Sequence, residues 1–212
     1  MRLVALPLAL ALLTGCASTP AAAPGSRSAA GAVRASADLG GRRIAGPGAT
    51  VTPEDVEAAA RSRAGQWADD AELRFVAWAV LRVEQLSSVN HSFYSPSKKA
   101  VMVVASFPKD AWQRVVTYDE PTLVKPMDRL KPLTTVEISA QRALQLSAPW
   151  YVPGNTNPLR VLTLTHPMNF VTPIWSVAAG GNMVHVNATN GRVIGIVPPG
   201  VAYPSEWSRA VR

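Results

Sequence analysis

Hydrophobic and polar positions divide the chain into segments with different patterns. Residues 1–15 contain one arginine followed by an apolar run, and residues 16–50 are rich in Ala, Gly, Ser and Pro without an aromatic residue. Later segments show helical or alternating spacing, interrupted by a proline-rich stretch. In chain order we expect a signal peptide (1–15), a flexible, disordered tether (16–50), a first folded unit (51–120), a linker (121–137), a second folded unit (138–198) and a C-terminal tail (199–212).

Each folded unit is predicted to begin with a helix and to continue as strands. Thr52 and Ser139 are suitable N-caps for helices over 53–67 and 140–148. The run 71–84 is long enough for a helix, but Val, Phe and Trp at its centre favour a strand. The predicted strands are 71–84, 91–94, 99–107 and 112–118, then 159–165, 173–179, 183–187 and 192–197.

Alternation within the strands assigns side chains to faces of the sheet. Leu73 and Phe75 are expected on one face and Val76 on the other. In the strand over 183–187, the two valines are expected to point inward, whereas His185 and Asn187 are expected to point outward. These assignments assume an uninterrupted two-residue period.

The two folded units share an order of features. Val51-Thr52 corresponds to Ile138-Ser139 at an offset of 87, and Leu73-Arg74-Phe75 corresponds to Leu159-Arg160-Val161 at an offset of 86. A degenerate duplication explains these near-equal offsets, with chance alignment as the alternative. The predicted fold is therefore α+β: a helix packed on an antiparallel sheet, repeated twice after a disordered N-terminal tether.

The end of the leader resembles a bacterial lipoprotein signal. Leu13-Thr14-Gly15-Cys16 is similar to the lipobox of that family, and Cys16 is the sole cysteine of the chain. The resemblance implies acylation of Cys16 and a protein held on the membrane by its acyl chains. Because Ala17 replaces the aspartate that retains such proteins in the inner membrane, we expect an outer-membrane lipoprotein facing the periplasm. An ordinary signal peptide is the alternative.

The second folded unit resembles the PepSY family of small exported domains. The similarity lies in the opening helix, in Pro173-Ile174-Trp175-Ser176-Val177, and in the segment over 184–194. Asn187 replaces the aspartate that is usual in that family. The resemblance implies tandem PepSY-like, cystatin-like domains, and an envelope protein such as a peptidase as the partner that they bind or regulate.

The charge of the chain is positive but dispersed. Lys and Arg number 21 against 14 acidic residues, a formal charge of +7. The densest basic positions are Arg42-Arg43, Lys98-Lys99 and the trio Lys125, Arg129 and Lys131. We expect a solvated surface, with contact to anionic lipid or cell-wall polymer as the alternative. Nucleic acid is not an expected partner for an exported protein.

Motifs that carry catalysis or bind cofactors are missing from the sequence. His91, His166 and His185 lack the spacing of metal ligands, and no free thiol remains once Cys16 is acylated. Gly-x-Ser-x-Gly and phosphate-binding glycine loops are absent. We therefore expect no enzyme activity, no metal and no cofactor.

Three residues are the candidates for binding a partner. Trp150 and Tyr151 lie in a predicted proline-bounded loop, and His185 is expected on an outward face of its strand. The main hypothesis is a non-enzymatic lipoprotein that binds or regulates an envelope protein. A binder of a small ligand or a cell-wall polymer is the alternative.

Overall fold

The computed structural model describes residues 35–46, 49–81, 85–151, 159–179 and 181–197. The predicted signal peptide, Cys16 and the predicted tail lie outside these residues. The helices are α1 (Pro53–Trp67), α2 (Pro121–Asp128) and α3 (Ala140–Ser147), with 3₁₀ turns at Pro108–Asp110 and Ala148–Trp150. The strands are β1 (Ala37–Arg43), β2 (Glu72–Leu81), β3 (Gln85–Ser95), β4 (Ala100–Phe107), β5 (Trp112–Tyr118), β6 (Leu159–Thr165), β7 (Ile174–Ala179), β8 (Asn182–Asn187) and β9 (Val193–Val197).

The nine strands of the described residues belong to one antiparallel sheet, in the order β1-β5-β4-β3-β2-β6-β7-β8-β9. The predicted helix-on-sheet unit repeated twice is therefore wrong. The two halves join where β2 pairs with β6, from Phe75 opposite Thr165 to Leu81 opposite Leu159. One apolar core then runs through both halves, because the buried side chains of α1 and α3 belong to the same cluster on this sheet.

The first strand corrects the prediction of a disordered tether over 16–50. Ala37–Arg43 pairs with β5 and forms an edge of the sheet. All seven residues of β1 are exposed, so the segment lacks the apolar alternation that identifies a strand in sequence. Its pairing follows from the free edge of β5, and Gly41 leaves room for the ring of Trp112.

Helix α1 confirms the predicted start and end. The Thr52 hydroxyl accepts from the Asp55 backbone N–H at 3.2 Å, and the Asp55 carboxylate accepts from the Thr52 N–H at 2.9 Å. Pro53 occupies the first turn. The helix buries Val56, Ala60 and Ala64 against the sheet.

A bulge in β2 reverses the predicted faces at its start. Leu73 lies opposite Phe93 and Phe75 opposite Ser92, so Arg74 is an extra residue. Leu73 therefore shares a face with Val76 in the main core, while Phe75 lies on the other face. The prediction that Leu73 and Phe75 share a face was wrong because the bulge shifts the two-residue period by one.

The face of the sheet opposite α1 and α3 is also covered. Helix α2 forms within the predicted linker and buries Leu123 and Met127 beside Phe75 on this second face. In β8 the two valines belong to the main core as predicted, but His185 and Asn187 are buried too. Their predicted outward exposure is wrong because both faces carry buried side chains.

The cap of α3 follows the sequence prediction, and the turn between β8 and β9 falls between the predicted strands 183–187 and 192–197. Ser139 Oγ accepts from the Arg142 N–H at 3.2 Å. Asn187 Oδ1 accepts from the Thr189 N–H at 2.8 Å, and Gly191 has a φ of 76°. The polar turn residues therefore close this hairpin locally.

Replacing Gly41 with alanine tests the pairing of β1 with β5. A Cβ at this position would lie 1.8 Å from Trp112 Cζ2, so the Trp112 ring would have to move away from β1. We expect Gly41→Ala to lower the free energy of unfolding by about 1 kcal/mol in urea titrations. Gly46→Ala is the matched control, because its Cβ meets nothing within 4 Å. Equal stabilities of the two variants would contradict this packing.

Candidate functional site

A cleft opens on the face of the sheet that carries α1 and α3. It lies between α1 and the segment leading into α3, and its volume is about 330 Å³. This is near the lower limit for small-molecule sites. The lining residues are Pro53, Glu54, Glu57, Arg61, Leu73, Val76, Trp78, His91, Leu133, Thr134, Val136, Glu137, Ile138, Ser139, Ala140, Leu164 and Trp175.

His91 is the buried titratable residue of the cleft. Its partners across the strands are Val76 and Val104, and 1% of its surface is exposed. Burial among apolar neighbours, with a smaller effect of the Arg61 charge, lowers the pKa of His91 to about 3. The imidazole is therefore neutral at pH 7. Its Nδ1 has no hydrogen-bond partner within the described residues.

Two tryptophans of the cleft differ in their hydrogen bonding. The indole N–H of Trp175 donates to the Ile138 carbonyl at 2.7 Å and ties the core to the segment before α3. The Nε1 of Trp78 is buried without a partner in the described part of the chain. A buried donor without an acceptor is uncommon and costs free energy. Trp78 and His91 thus both line the cleft, and each has a buried polar atom with unused hydrogen-bonding capacity among the described residues.

The rim of the cleft is acidic, although the chain as a whole is basic. Glu54, Glu57 and Glu137 line it together with one cation, Arg61. Glu57 and Arg61 form an ion pair at 2.8 Å, one helical turn apart. Glu54 and Glu137 form no ion pair with any residue that the structure describes. The rim therefore carries two carboxylates available to a cationic group.

A second, shallower depression lies between the end of α1 and the β3–β4 turn. Its polar groups already have partners. Asp70 accepts from the Ser95 hydroxyl at 2.6 Å and from the Ser97 N–H at 2.7 Å. The Lys98 ammonium lies 5.5 Å from the centre of the Trp67 ring. Because these groups are satisfied, we assign the candidate site to the cleft beside His91.

The sequence-predicted site residues do not come together in this cleft. Trp150 is 44% exposed in the 3₁₀ turn after α3. Next to it, the Tyr151 ring packs on the core and lies 4.6 Å from the Arg160 guanidinium. His185 is 2% exposed on the opposite face and hydrogen-bonds through Nδ1 to the Ser176 hydroxyl at 2.9 Å. Cys16 lies outside the described residues.

From the sequence, His91 was considered only as a metal ligand, and Trp78 only as one of the residues that favour a strand over 71–84. The alternating pattern predicts His91 and Phe93 on one face, which places a titratable group in an apolar row. That was the available signal for His91. Nothing in the sequence indicates that the Trp78 indole lacks an acceptor, because this depends on which residues distant in the sequence lie next to it.

The part of the chain that the structure describes was searched for metal sites and membrane-spanning helices. Among the described residues, no group of three or more His, Cys, Asp or Glu side chains is arranged to hold a metal ion. None of the helices in the described ranges has the length and apolar character needed to cross a membrane.

Acid titration tests the burial of the histidines. Burial lowers the pKa of His91 to about 3 and that of His185 to about 4, both below the value of 6.5 for an exposed histidine. The unfolded chain therefore binds more protons between pH 6.5 and 4, and stability falls as the pH falls through this window. Lowering the pH from 7 to 5 should therefore reduce the free energy of unfolding by about 2 kcal/mol for each of the two histidines.

The measurement is urea unfolding at both pH values, with His91→Gln and His185→Gln as variants that cannot titrate. Each variant should show a loss between pH 7 and pH 5 smaller by about 2 kcal/mol than the wild type. An unchanged pH dependence in His91→Gln would contradict a neutral, buried imidazole in the cleft.

Comparisons of the chain with protein families, with curated proteins and with solved structures find no match. The resemblance of residues 138–194 to PepSY domains and that of residues 13–16 to a lipobox therefore stay predictions from the sequence.

Proposed function

We propose that this chain is a lipid-anchored, non-enzymatic binding protein of the bacterial envelope, and that its cleft takes a small amphipathic amine. One observation carries the proposal: His91 and Trp78 line an open cleft with an apolar floor, and each has a buried polar atom, Nδ1 and Nε1, without a partner among the described residues. A ligand that supplies those partners regains the hydrogen bonds that the folded chain leaves unmade.

The anchoring part of the proposal is supported by Leu13-Thr14-Gly15-Cys16. The thiol of Cys16 would carry the acyl chains, and more than one chain is needed for firm attachment. The cleft would then be presented to ligands of the periplasm.

The chemistry of the ligand follows from the floor and the rim. Val76, Leu164 and the two indoles favour an apolar or aromatic body. The Trp78 N–H is a donor only and calls for an acceptor such as a carbonyl oxygen. Glu54 and Glu137 at the rim favour a protonated amine. An amine, a carbonyl and an apolar side chain together describe the amino-terminal residue of a peptide.

Binding without catalysis is supported by the surroundings of His91. Nucleophilic catalysis needs a base within hydrogen-bond reach of a nucleophile. Within the described ranges, no Ser or Thr hydroxyl and no carboxylate hydrogen-bonds to His91. Ser139, which also lines the cleft, uses its hydroxyl to cap α3.

Titration with L-phenylalaninamide tests the ligand class. N-acetyl-L-phenylalaninamide is the matched probe, because it keeps the ring and the amide but lacks the charged amine. We expect the amine to bind with a Kd of roughly millimolar size, as is usual for such a small compound, and the acetylated probe to bind several-fold more weakly. The measurement is the shift of ¹H–¹⁵N and indole N–H NMR signals during titration.

Three variants separate the contributions. Trp78→Phe removes the donor and should weaken L-phenylalaninamide roughly 2- to 10-fold, and Glu137→Gln removes a rim charge and should weaken it roughly 2- to 5-fold. Asp110→Asn removes an exposed carboxylate that does not line the cleft and should leave binding unchanged. If neither probe shifts cleft signals, the proposal is wrong.

A second candidate function is the binding of an envelope protein through Trp150. Its exposed indole favours this idea, because tryptophan is enriched at binding hot spots. Crosslinking and pull-down of acylated protein from native envelopes should enrich one protein that Trp150→Ala fails to capture. Leu39→Ala is the control, because it removes another exposed apolar side chain, in β1. Equal capture by both variants would contradict a role for Trp150.

A further inference from the structure

The loop between β6 and β7 exposes two large apolar side chains. Met168 is 59% exposed and Val171 is 60% exposed, more than any other large apolar side chain in the described residues. Both belong to the turn and bend that follow Pro167. Apolar side chains held in water on one short loop are typical of a surface that contacts a partner or a lipid phase.

Basic side chains lie beside this loop. The Lys131 ammonium donates to the Phe170 carbonyl at 2.8 Å, and the Lys131 N–H donates to the His166 carbonyl at 2.7 Å. Leu130 and Pro167 form a β-bridge. The loop and the segment 129–131 are therefore one continuous surface, which combines apolar side chains with positive charge.

Helix α2 adds further positive charge to this surface. Lys125 and Arg129 are exposed and one helical turn apart, so they share a side of the helix. That side is opposite the one that buries Leu123 and Met127. The acidic residue of the helix, Asp128, interacts with the Tyr94 hydroxyl. Three basic residues, Lys125, Arg129 and Lys131, thus lie on one surface next to Met168 and Val171.

The described part of the chain begins close to the start of helix α2. Ser36 N–H donates to the Thr117 carbonyl at 2.8 Å, at the end of β5 that leads directly into α2. Eighteen residues separate Cys16 from Ala35. At about 3.3–3.6 Å per residue, eighteen residues reach at most roughly 60–65 Å, so an anchor at Cys16 would leave this surface within reach of the bilayer.

We propose that Lys125, Arg129 and Lys131, with Met168 and Val171, form a docking surface for an anionic lipid bilayer. The apolar side chains enter the interface between headgroups and acyl chains, and the basic side chains contact anionic headgroups. The orientation of the folded part on the membrane is then fixed by two contacts, the N-terminal anchor and this surface. The inference rests on the anchoring half of the proposed function but not on the cleft.

The experiment replaces the acyl anchor, so that it does not depend on acylation. The chain from Ala17 onward, which keeps every described residue, carries an N-terminal hexahistidine tag and is held on vesicles with nickel-chelating lipid. This chain has no native cysteine, so Val171→Cys provides one site for an environment-sensitive dye. Leu39→Cys, on the exposed β1, is the matched control position.

The vesicles contain either phosphatidylcholine alone or a mixture with phosphatidylglycerol, with brominated acyl chains as quenchers. We expect the dye at residue 171 to be quenched several-fold more on anionic than on neutral vesicles, and the dye at residue 39 to stay unquenched on both. Changing Lys125, Arg129 and Lys131 to glutamine should lower the quenching at residue 171, because each substitution weakens the affinity for the anionic surface roughly fivefold. Adding 0.5 M KCl should also lower this quenching, because salt screens the attraction between the charges.

The proposal is overturned if the dye at residue 171 is not quenched on anionic vesicles. It is also overturned if the dyes at residues 171 and 39 are quenched equally. Because the tag holds the chain at the surface, neither result reflects a failure of acylation. Flotation of the natural, full-length protein with envelope membranes tests the anchor separately, with Cys16→Ala as its control. The amine titration tests the cleft without lipid.

Discussion

The pairing of β2 with β6 is the interaction on which the rest of the structure depends. It turns two groups of strands into one sheet, from Phe75 opposite Thr165 to Leu81 opposite Leu159. Without it, each group would leave a long apolar strand with unpaired backbone groups at an open edge. With it, α1 and α3 pack on a shared surface, and their buried side chains join one core. The floor of the cleft, with Val76 and Trp78 from β2 and Leu164 from β6, exists only because this edge is closed.

The cleft exists because the sheet is wider than the two helices that pack on this face. Nine strands at about 4.8 Å span roughly 38 Å, whereas a helix covers about 10–12 Å. Two helices cannot cover this face, and the gap between them is bridged by the segment before α3, which is held by the Trp175 indole on the Ile138 carbonyl. Trp78 and His91 line this gap, and His91 is buried at its base with 1% of its surface exposed. Their unused hydrogen-bonding atoms are a consequence of the geometry, and they give the cleft its proposed use.

The two proposed contacts lie on separate parts of the fold. The cleft belongs to the face that carries α1 and α3, and α2, with its basic exposed side, covers the opposite face. Membrane docking through α2 and the β6–β7 loop would therefore leave the cleft accessible from the periplasm. The sheet, which carries buried side chains on both faces, separates the two surfaces.

The sequence by itself determined the local elements. Helix α1 with its Thr52 cap, β5, β6 and the Asn187–Gly191 turn were predicted because capping, alternation and turn chemistry are encoded in neighbouring residues. Only the tertiary structure decided that β2 joins β6, that the glycine-rich β1 adds an edge, and that a bulge at Arg74 reverses a face. It also decided that His91 lines the cleft, whereas His185, which was predicted to bind a partner, is buried on the opposite face of the sheet. Strand partners and hydrogen-bond partners distant in sequence leave no local pattern, so these features had no signal to predict them.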